Sequence, residues 1–316
     1  MRLLVTRRMT AAAEKAIAEA FDASFRDETV PLTEAEAIAA LRGHDAILPT
    51  LGDPFNAAVL ARPERRARVL ANFGAGFNHI DIEAAKAAGI VVTNTPDVVT
   101  DATADIALTL ILMTARRAGE GERLVRAGRW TGWHPTQMLG MHVTGRTLGI
   151  VGMGRIGQAI ARRGHHGFGM KVVFHNRSTV MGLDLPALQV PLPDLLAQAD
   201  IVVAAVPGGA STRHLIGGAE LAAMKPGAIL VNIARGDVVD EAALIAALEA
   251  GTIAGAGLDV YEREPLVPEA LRTREDVVLL PHLGTATEEV RTDMALRALA
   301  NLTAFFRGDP PPDRVV

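Results

Sequence analysis

The sequence predicts an α/β protein with two domains, each built on a parallel β-sheet. Short runs rich in strand-forming residues alternate with alanine-rich helical runs along the chain, which is the pattern of parallel α/β sheets. The length of 316 residues exceeds that of one average domain. A glycine-rich turn at residues 152–157 stands between a predicted strand and a predicted helix, as in sheets that bind ligands at their carboxyl edge.

The individual elements follow from local patterns. Strands are predicted at residues 3–5, 46–48, 69–71, 90–92, 147–151, 171–174, 201–205, 228–232, 256–258 and 277–279. Helices lie between them, and the capping-box pairs Thr33 with Glu36 and Thr285 with Glu288 predict two helix starts. A largely apolar helix is predicted over residues 101–117, followed by an irregular stretch that contains Trp130 and Trp133.

The composition is that of a globular protein. Hydrophobic residues make up 49%, charged residues 22%, and the net charge is −4, which gives no general attraction to nucleic acid or to acidic membranes. The chain has no cysteine, which excludes disulfides and thiolate chemistry, and no HExxH or carboxylate-rich loop that would indicate a metal. No apolar run has the length of a signal sequence or a membrane span. We therefore expect a cytoplasmic protein that binds no metal, nucleic acid or membrane.

The glycine turn has the spacing of a dinucleotide site. It reads Gly152-Met153-Gly154-Arg155-Ile156-Gly157. In such a turn the first glycine permits a tight bend, the second lets the backbone approach a pyrophosphate, and the third lets helix and strand pack closely. The helix start offers N–H groups and a partial positive charge to the anion. A ligand-free turn is the alternative, and the flanking strand and helix argue against it.

The end of the next strand predicts which dinucleotide is bound. An NAD site usually has an acidic residue there for the ribose 2′-hydroxyl, whereas this chain has Asn176-Arg177-Ser178. A carboxylate ~4 Å from a 2′-phosphate would cost on the order of 1–4 kcal/mol, depending on the local dielectric. Arg177 and Ser178 can instead donate hydrogen bonds to that phosphate. We expect NADP(H) to be preferred over NAD(H), the alternative being a solvated arginine at a loop tip.

Three ionisable residues stand past the ends of later predicted strands. They are Arg235, Glu264 and His282. Isolated arginine and glutamate residues in loops are usually solvated, and a single histidine is usually not catalytic. All three at successive strand ends, behind a dinucleotide turn, indicate a reaction centre, because ligands of open α/β sheets gather at that edge.

Along nearly its whole length the chain resembles the D-isomer-specific 2-hydroxyacid dehydrogenase family. The glycine turn, the Asn-x-Ala-Arg-Gly run that contains Arg235, the run from Asp259 to Pro265 and the Pro-His-x-Gly run at His282 occur in the family's order and spacing. The resemblance implies two Rossmann-like domains, with a cofactor domain at 98–281 inserted into a substrate domain formed by 1–97 and 282–316. It also implies a homodimer through the cofactor domain, near the 101–117 helix and the tryptophan stretch.

The resemblance assigns a role to each of the three residues, and the chemistry of 2-oxo acid reduction supports the assignment. Arg235 would hold the substrate carboxylate and keto oxygen, His282 would donate the proton, and Glu264 would orient the imidazole and favour its protonated form. Asp259 would add electrostatic support. Further cofactor contacts are implied for Thr103, Val206, Pro207, Thr212, Ile233, Ala234, Asp259 and Gly284.

A second glycine turn follows the predicted strand 69–71. The resemblance implies that the N–H groups of Ala75 and Gly76 bind the substrate carboxylate there, and a plain turn before a helix is the alternative. Trp133 matches the position at which the glyoxylate/hydroxypyruvate reductase branch places a tryptophan from the neighbouring subunit to limit the pocket. Interface packing alone is the alternative for Trp133.

These features together predict NADPH-dependent reduction of a small 2-oxo acid, glyoxylate or hydroxypyruvate, to the 2-hydroxy acid. One alternative is an NAD-using 3-phosphoglycerate dehydrogenase or another D-2-hydroxyacid dehydrogenase. The chain has no room after its last predicted helix, 285–307, for the regulatory domain that many phosphoglycerate dehydrogenases carry. Formate dehydrogenase is disfavoured by the intact Glu264. An alternative of another class is a dinucleotide-sensing binding protein of the same fold, which the lack of disordered extensions disfavours.

Overall fold

The computed structural model describes the whole chain, Met1–Val316, as two compact units. Unit 1 comprises Met1–Val99 and Thr285–Val316, and unit 2 comprises Thr100–Gly284. The sequence-based boundaries, 97/98 and 281/282, differ from these by two and three residues. His282 consequently lies in the same unit as Arg235 and Glu264, because the turn it occupies is tied by hydrogen bonds to Asp259.

Every strand pair in both sheets is parallel. The strands of unit 1 are β1 Arg2–Val5, β2 Asp22–Phe25, β3 Ala46–Leu48, β4 Val69–Ala71 and β5 Val91–Thr93. Those of unit 2 are β6 Thr147–Val151, β7 Lys171–His175, β8 Ala187–Gln189, β9 Ile201–Ala204, β10 Ile229–Asn232, β11 Gly255–Leu258 and β12 Val277–Leu279.

The α-helices alternate with these strands. They are α1 Ala11–Ala20, α2 Glu34–Gly43, α3 Ala57–Leu60, α4 Ile82–Ala87, α5 Thr100–Ala115, α6 Ala118–Arg126, α7 Arg155–Arg162, α8 Leu192–Gln198, α9 Gly218–Ala223, α10 Glu241–Glu249, α11 Glu269–Arg272 and α12 Glu288–Arg307. A π-helical turn, Arg163–Gly167, continues α7, and a 3-10 turn, Gly236–Val238, follows β10. No helix is both long and apolar enough to span a bilayer.

Unit 1 is a sheet covered by helices on both faces, with strand order β2-β1-β3-β4-β5. Side chains alternate between the two faces of each strand. Leu3 and Val5 of β1 pack with Leu302 of α12 in one core, while Ile47 of β3 packs with Leu41 of α2 in the other. Because both of their faces are buried, the central strands β3 and β4 are wholly apolar.

Unit 2 has strand order β12-β11-β10-β9-β6-β7-β8. The chain runs outward from β6 to β7 and β8, then returns to β9 on the other side of β6 and continues outward to β12. The strand order therefore reverses between β6 and β9. In open parallel sheets this switch point leaves a crevice at the carboxyl ends of the strands, where ligands bind.

The predicted fold class is confirmed, and all ten predicted strands are present to within one residue at each end. Two strands, β2 and β8, were not predicted. Both lie at a sheet edge, and their side chains are largely exposed or half-buried. Edge strands of this kind lack the continuous apolar pattern that identifies a buried strand.

Two helix boundaries differ from prediction. The predicted 101–117 helix ends at Ala115, because Arg117 adopts a left-handed conformation with φ 51° before α6 begins. The Thr33 capping box is confirmed, but the one at Thr285 is wrong: Thr287 caps α12 by accepting a hydrogen bond from the Val290 N–H. This start puts two glutamates in the first turn, where the helix dipole favours negative charge.

Candidate active site

The glycine turn joins β6 to α7 at the switch point of unit 2. Gly152 has φ +104°, and a Cβ there would lie 2.7 Å from the Ala205 carbonyl oxygen. A Cβ on Gly157 would lie 2.1 Å from the Gly152 oxygen, so both positions need glycine. A Cβ on Gly154 would meet nothing within 4 Å, and no side chain caps α7. The turn is thus packed on its inner side and open where a ligand phosphate would approach.

The Asn176-Arg177-Ser178 segment lies directly beside this turn. The Asn176 Oδ1 accepts a hydrogen bond from the Met153 N–H at 3.3 Å, and its Nδ2 donates to the Ser178 carbonyl at 2.9 Å. Gln189 of β8 donates to the carbonyl oxygens of Asn176 and Ser178 at 3.2 and 3.0 Å. Arg177 and Ser178 remain exposed. The segment therefore presents an arginine and a hydroxyl at the surface, and no carboxylate.

Arg235 is held in place by the residue that ends β10. The buried Asn232 side chain donates to the Arg235 carbonyl at 2.8 Å and accepts from the Ala234 N–H at 3.0 Å. The Arg235 Nη1 donates to the Ala234 carbonyl at 2.7 Å, whereas its Nε is buried without an acceptor. Burial lowers the pKa of Arg235, and the negative charge of Glu264 opposes that effect. A buried cation with an unsatisfied donor costs free energy unless an anion accepts the missing hydrogen bond and offsets the charge.

Glu264 and His282 form a hydrogen-bonded pair. Their Oε2 and Nδ1 atoms are 2.8 Å apart, and the Glu264 Oε1 accepts from the Tyr261 N–H at 3.1 Å. Burial by itself would raise the pKa of Glu264, but the hydrogen bond to His282 and the charges of His282 and Arg235 outweigh burial and lower it. Glu264 is therefore an anion at neutral pH that orients the imidazole through Nδ1. The His282 Nε2 makes no hydrogen bond to the protein.

Asp259 fixes the turn on which His282 lies. The Asp259 carbonyl accepts from the His282 N–H at 3.0 Å, and its carboxylate accepts from the N–H groups of Leu283 and Gly284 at 2.6 and 2.8 Å. His282 has φ 55°, a left-handed conformation that costs roughly 1–3 kcal/mol in a residue other than glycine. Burial raises the pKa of Asp259, and the two N–H donors oppose that rise. Both carboxylate oxygens are engaged by backbone, so Asp259 supports this turn directly.

The other residues expected near a cofactor lie along the same edge of unit 2. Val206 and Pro207 follow β9, and the Thr212 hydroxyl donates to the Pro207 carbonyl at 2.7 Å. Ile233 and Ala234 follow β10 and are almost fully buried. Thr103, in α5, donates to the Gly284 carbonyl at 3.2 Å, which ties the His282 turn to that helix. The carboxyl ends of neighbouring parallel strands thus bring these positions together.

In unit 1 the second glycine turn follows β4. The Asn72 Nδ2 donates to the carbonyl oxygens of Gly74 and Gly76 at 3.0 and 3.1 Å, and Asn94 donates to the Ala75 carbonyl at 2.8 Å. The turn's carbonyl groups are therefore satisfied by side chains, whereas the N–H groups of Ala75 and Gly76 donate to no protein acceptor. Two free adjacent N–H groups can bind an anion.

Sequence reasoning assigned no role to the three side chains that support these turns, Asn72, Gln189 and Asn232. Asn72 directly follows β4, Asn232 is the last residue of β10, and both are buried at a position where a side-chain amide can complete the hydrogen bonds of the next turn. That position was the signal available in the sequence. Gln189 gave none, because its strand was not predicted.

Trp133 and Trp130 lie in the irregular stretch that follows α6. Their exposed fractions are 79% and 53%, and neither packs into a core of unit 2. The stretch forms no strand, as predicted from its irregular pattern. Trp133 is therefore largely exposed in its own unit.

Comparison with known proteins identifies the family. Residues 108–284, more than half of the chain, match the model of the D-isomer specific 2-hydroxyacid dehydrogenase, NAD binding domain. A glyoxylate reductase of Thermococcus onnurineus is 44% identical over 321 residues, which cover 99% of this chain and 95% of that protein. A glyoxylate reductase of Pyrococcus furiosus is 42% identical, with 99% of this chain and 95% of that protein covered.

The similarity extends to solved structures. The NADPH-dependent glyoxylate/hydroxypyruvate reductase of Sinorhizobium meliloti, in complex with NADP and malonate, is 37% identical with a TM-score of 0.88, covering 100% of this chain and 96% of that chain. A glyoxylate reductase from Paecilomyes thermophila is 36% identical with a TM-score of 0.88, covering 100% and 98%. The resemblance seen in the motifs is thus confirmed over the full length. The chain belongs to the D-isomer specific 2-hydroxyacid dehydrogenase family.

Proposed function

We propose that this chain reduces a small 2-oxo acid, glyoxylate or hydroxypyruvate, to the 2-hydroxy acid with NADPH. The observation that carries the proposal is the grouping in unit 2 of a buried, incompletely bonded Arg235 with the Glu264–His282 pair beside a dinucleotide turn. This grouping provides a cation for a carboxylate and a held proton donor. The relatives named glyoxylate reductase, at 42–44% identity, support this substrate class.

The residues of unit 2 fit a nicotinamide dinucleotide. The turn at 152–157 leaves open space only at Gly154, where a phosphate would approach the backbone, and it precedes a helix whose start has no side-chain cap. Residues 152–157 would hold the pyrophosphate and residues 176–178 the adenosine ribose. When bound, the nicotinamide supplies a hydride to the keto carbon of the substrate.

The protein's own residues would do the rest of the chemistry. Arg235 binds the substrate carboxylate and polarises the keto oxygen, and its buried Nε finds the acceptor it lacks. His282 holds a proton on Nε2 and gives it to the keto oxygen as the carbon is reduced, so that a hydroxyl group forms. Glu264, as an anion, stabilises the protonated imidazole before this transfer and fixes its ring through Nδ1.

Asn176-Arg177-Ser178 supports a preference for NADP(H) over NAD(H). No carboxylate lies at the end of β7 to repel a 2′-phosphate, and Arg177 is exposed and makes no hydrogen bond to the protein. Its guanidinium is therefore free to pair with that phosphate. A relative that is 37% identical is described as NADPH-dependent, which agrees with this interpretation.

We also propose roles for unit 1 and for a second copy of the chain. In unit 1 the free N–H groups of Ala75 and Gly76 would bind a carboxylate. Unit 2 would form a homodimer through its α5–α6 region, where exposed apolar side chains (Val125 58%, Trp130 53%, Trp133 79% and Leu139 68%) need a partner surface. In that dimer Trp133 would limit the partner's substrate pocket.

A turnover assay tests the proposal. Purified protein is mixed with NADPH or NADH and a panel of 2-oxo acids that differ in size and charge, and the loss of nicotinamide absorbance is followed. We expect the highest kcat/KM with NADPH and glyoxylate or hydroxypyruvate. Faster turnover of a phosphorylated substrate with NADH would favour the phosphoglycerate alternative. Tight dinucleotide binding without turnover of any acid would identify a sensor and overturn the proposal.

A further inference from the structure

A second histidine–carboxylate pair lies in unit 2, outside the residues assigned to catalysis. The His214 Nε2 is 2.5 Å from the Glu262 Oε1, and the His214 Nδ1 is 3.7 Å from the Asp240 Oδ2. About a third of the His214 side chain and a fifth of the Glu262 side chain are exposed. His214 also has φ 51°, a left-handed conformation that is costly for a histidine. The unfavourable backbone conformation therefore belongs to the residue whose ring contacts two carboxylates.

His214 connects the loop after β10 to the loop after β11. Its backbone N–H donates to the Asp237 carbonyl at 2.7 Å, two residues beyond Arg235. Its side chain reaches Glu262, two residues before Glu264. One residue therefore joins the segment that carries Arg235 to the segment that carries Glu264.

The two loops are in backbone contact at the same place. A Cβ on Gly236 would lie 1.8 Å from the Tyr261 carbonyl carbon and 2.3 Å from the Glu262 nitrogen. The Tyr261 N–H in turn donates to the Glu264 Oε1. A displacement of Glu262 would consequently be transmitted through Tyr261 to the carboxylate that holds His282.

The charges around His214 are mostly negative. Asp240 and Glu262 face its ring, and Glu241 lies close enough to Glu262 for their charges to interact. Burial raises the pKa of Glu241 and the charge of Glu262 adds to the rise, whereas a hydrogen bond from the Glu262 backbone and the charge of Arg263 oppose it. The His214 ring contacts both Asp240 and Glu262, so its removal takes away the hydrogen bond that holds Glu262 and leaves two acidic groups facing the vacated space.

We propose that His214 is a positioning residue, which clamps the Glu264 loop against the Arg235 loop through Glu262. The inference rests on the proposed function, because that function makes the placement of Glu264 relative to His282 matter. A shift of about 1 Å in a catalytic constellation can cost on the order of 10²-fold in rate. The clamp keeps the Glu264 Oε2 within hydrogen-bond distance of His282.

Three variants test the clamp. His214→Ala removes the bridge, His214→Gln keeps an N–H donor near the position of Nε2, and Glu262→Gln keeps an acceptor without its charge. We expect His214→Ala to lower kcat roughly tenfold, with the KM for NADPH unchanged, and His214→Gln to restore most of that loss. His165→Ala is the matched control: the side chain of this half-buried histidine of the same unit makes one hydrogen bond, with the Met170 carbonyl, and the residue lies in the π-helical turn after α7.

A second measurement does not depend on turnover. NMR of the histidine side chains in the full-length, cofactor-free protein follows the His282 ring as pH is varied. In His214→Ala the His282 signals should change at lower pH than in wild type, because a displaced Glu264 stabilises the protonated ring less. His214→Gln and His165→Ala should resemble wild type.

The outcomes separate the clamp from simpler roles. If His214→Ala lowers only the thermal unfolding midpoint, while kcat and the His282 titration stay as in wild type, His214 is a structural contact and the clamp is refuted. Additive effects of His214→Ala and Glu262→Gln in a double-mutant cycle would refute it equally. If wild type reduces no 2-oxo acid, the proposed function fails, and the NMR titration still reports on the clamp.

Discussion

Replacing Arg177 with alanine tests the cofactor preference at the residue on which it depends most. Arg177 is exposed, and its side chain makes no hydrogen bond or ion pair within the protein. The segment around it is held by Asn176 and Gln189, neither of which uses the Arg177 side chain. The substitution should therefore leave the fold unchanged, and any effect on kinetics reports on the bound ligand.

The expected magnitude follows from that exposure. A hydrogen bond to a charged group contributes about 1.5–3 kcal/mol, and a contact at an exposed loop belongs at the lower end because water and salt screen it. A loss of about 1.5 kcal/mol corresponds to roughly a tenfold weaker interaction. NADH lacks the 2′-phosphate, so its kcat/KM should change little. Raising the ionic strength to about 1 M shortens the Debye length to about 3 Å and should reduce the difference.

Asn176→Asp should weaken the binding of NADPH and strengthen that of NADH, because it changes the group that faces the 2′ position of the ribose. The new carboxylate can still accept the Met153 N–H, but it loses the two hydrogen bonds that the amide donates to Ser178. Its charge would repel a 2′-phosphate by on the order of 1–4 kcal/mol, while the ribose 2′-hydroxyl of NADH gains an acceptor. The ratio of kcat/KM for NADPH to that for NADH should therefore fall for both variants.

Steady-state kinetics with both cofactors at low and high salt measure these effects. Arg272→Ala is the matched control, because Arg272 is another exposed arginine of unit 2, in α11, and should affect neither cofactor. A wild-type preference for NADH would refute the interpretation of the Asn176-Arg177-Ser178 segment. Equal weakening of both cofactors by Arg177→Ala would refute it as well.

Three further substitutions test the proposed roles of the strand-end residues. His282→Asn should lower kcat at least ~10²-fold while NADPH binding, followed by fluorescence titration, stays nearly intact; unchanged turnover would remove His282 from the mechanism. Glu264→Gln should move the limb on which reduction is lost with rising pH toward lower pH, because the protonated ring loses its anionic partner; a pH profile like that of wild type would show that Glu264 does not act on His282. Arg235→Lys keeps the charge without the planar fork, so both KM and kcat should worsen, and near-normal kinetics would mean that the carboxylate is held elsewhere.

The elements that carry the site could be predicted because the strands of unit 2 are buried on both faces. Continuous apolar runs locate β6, β9, β10 and β12, and the polar residue after each run is then a candidate for the carboxyl edge. Parallel pairing brings those edges together without any knowledge of contacts. For this reason Arg235 and His282 could be singled out from position alone.

The residues that hold the site's loops in place could not be predicted in the same way, because their role depends on contacts between residues that are distant in the sequence. His214 and Glu262 are 48 positions apart, and Asp259 reaches Leu283 across 24 positions. No local pattern distinguishes these side chains from solvated ones. The predicted start of α12 was also wrong, because Thr285 and Thr287 both have capping potential and the structure uses Thr287, which accepts the Val290 N–H.

Several unfavourable features of unit 2 lie at or near the proposed reaction centre. His282 and His214 have left-handed backbones, Asp259 is a buried carboxyl group, and Arg235 has a buried donor without an acceptor. Each costs free energy, and neighbouring hydrogen bonds hold each residue in place. For Arg235 a ligand carboxylate would remove the cost, since it supplies the missing acceptor in a setting of low dielectric. The stability that the folded chain forgoes at Arg235 is then available as binding free energy for an anionic substrate, which is why a buried arginine here fits a 2-oxo acid better than a neutral ketone.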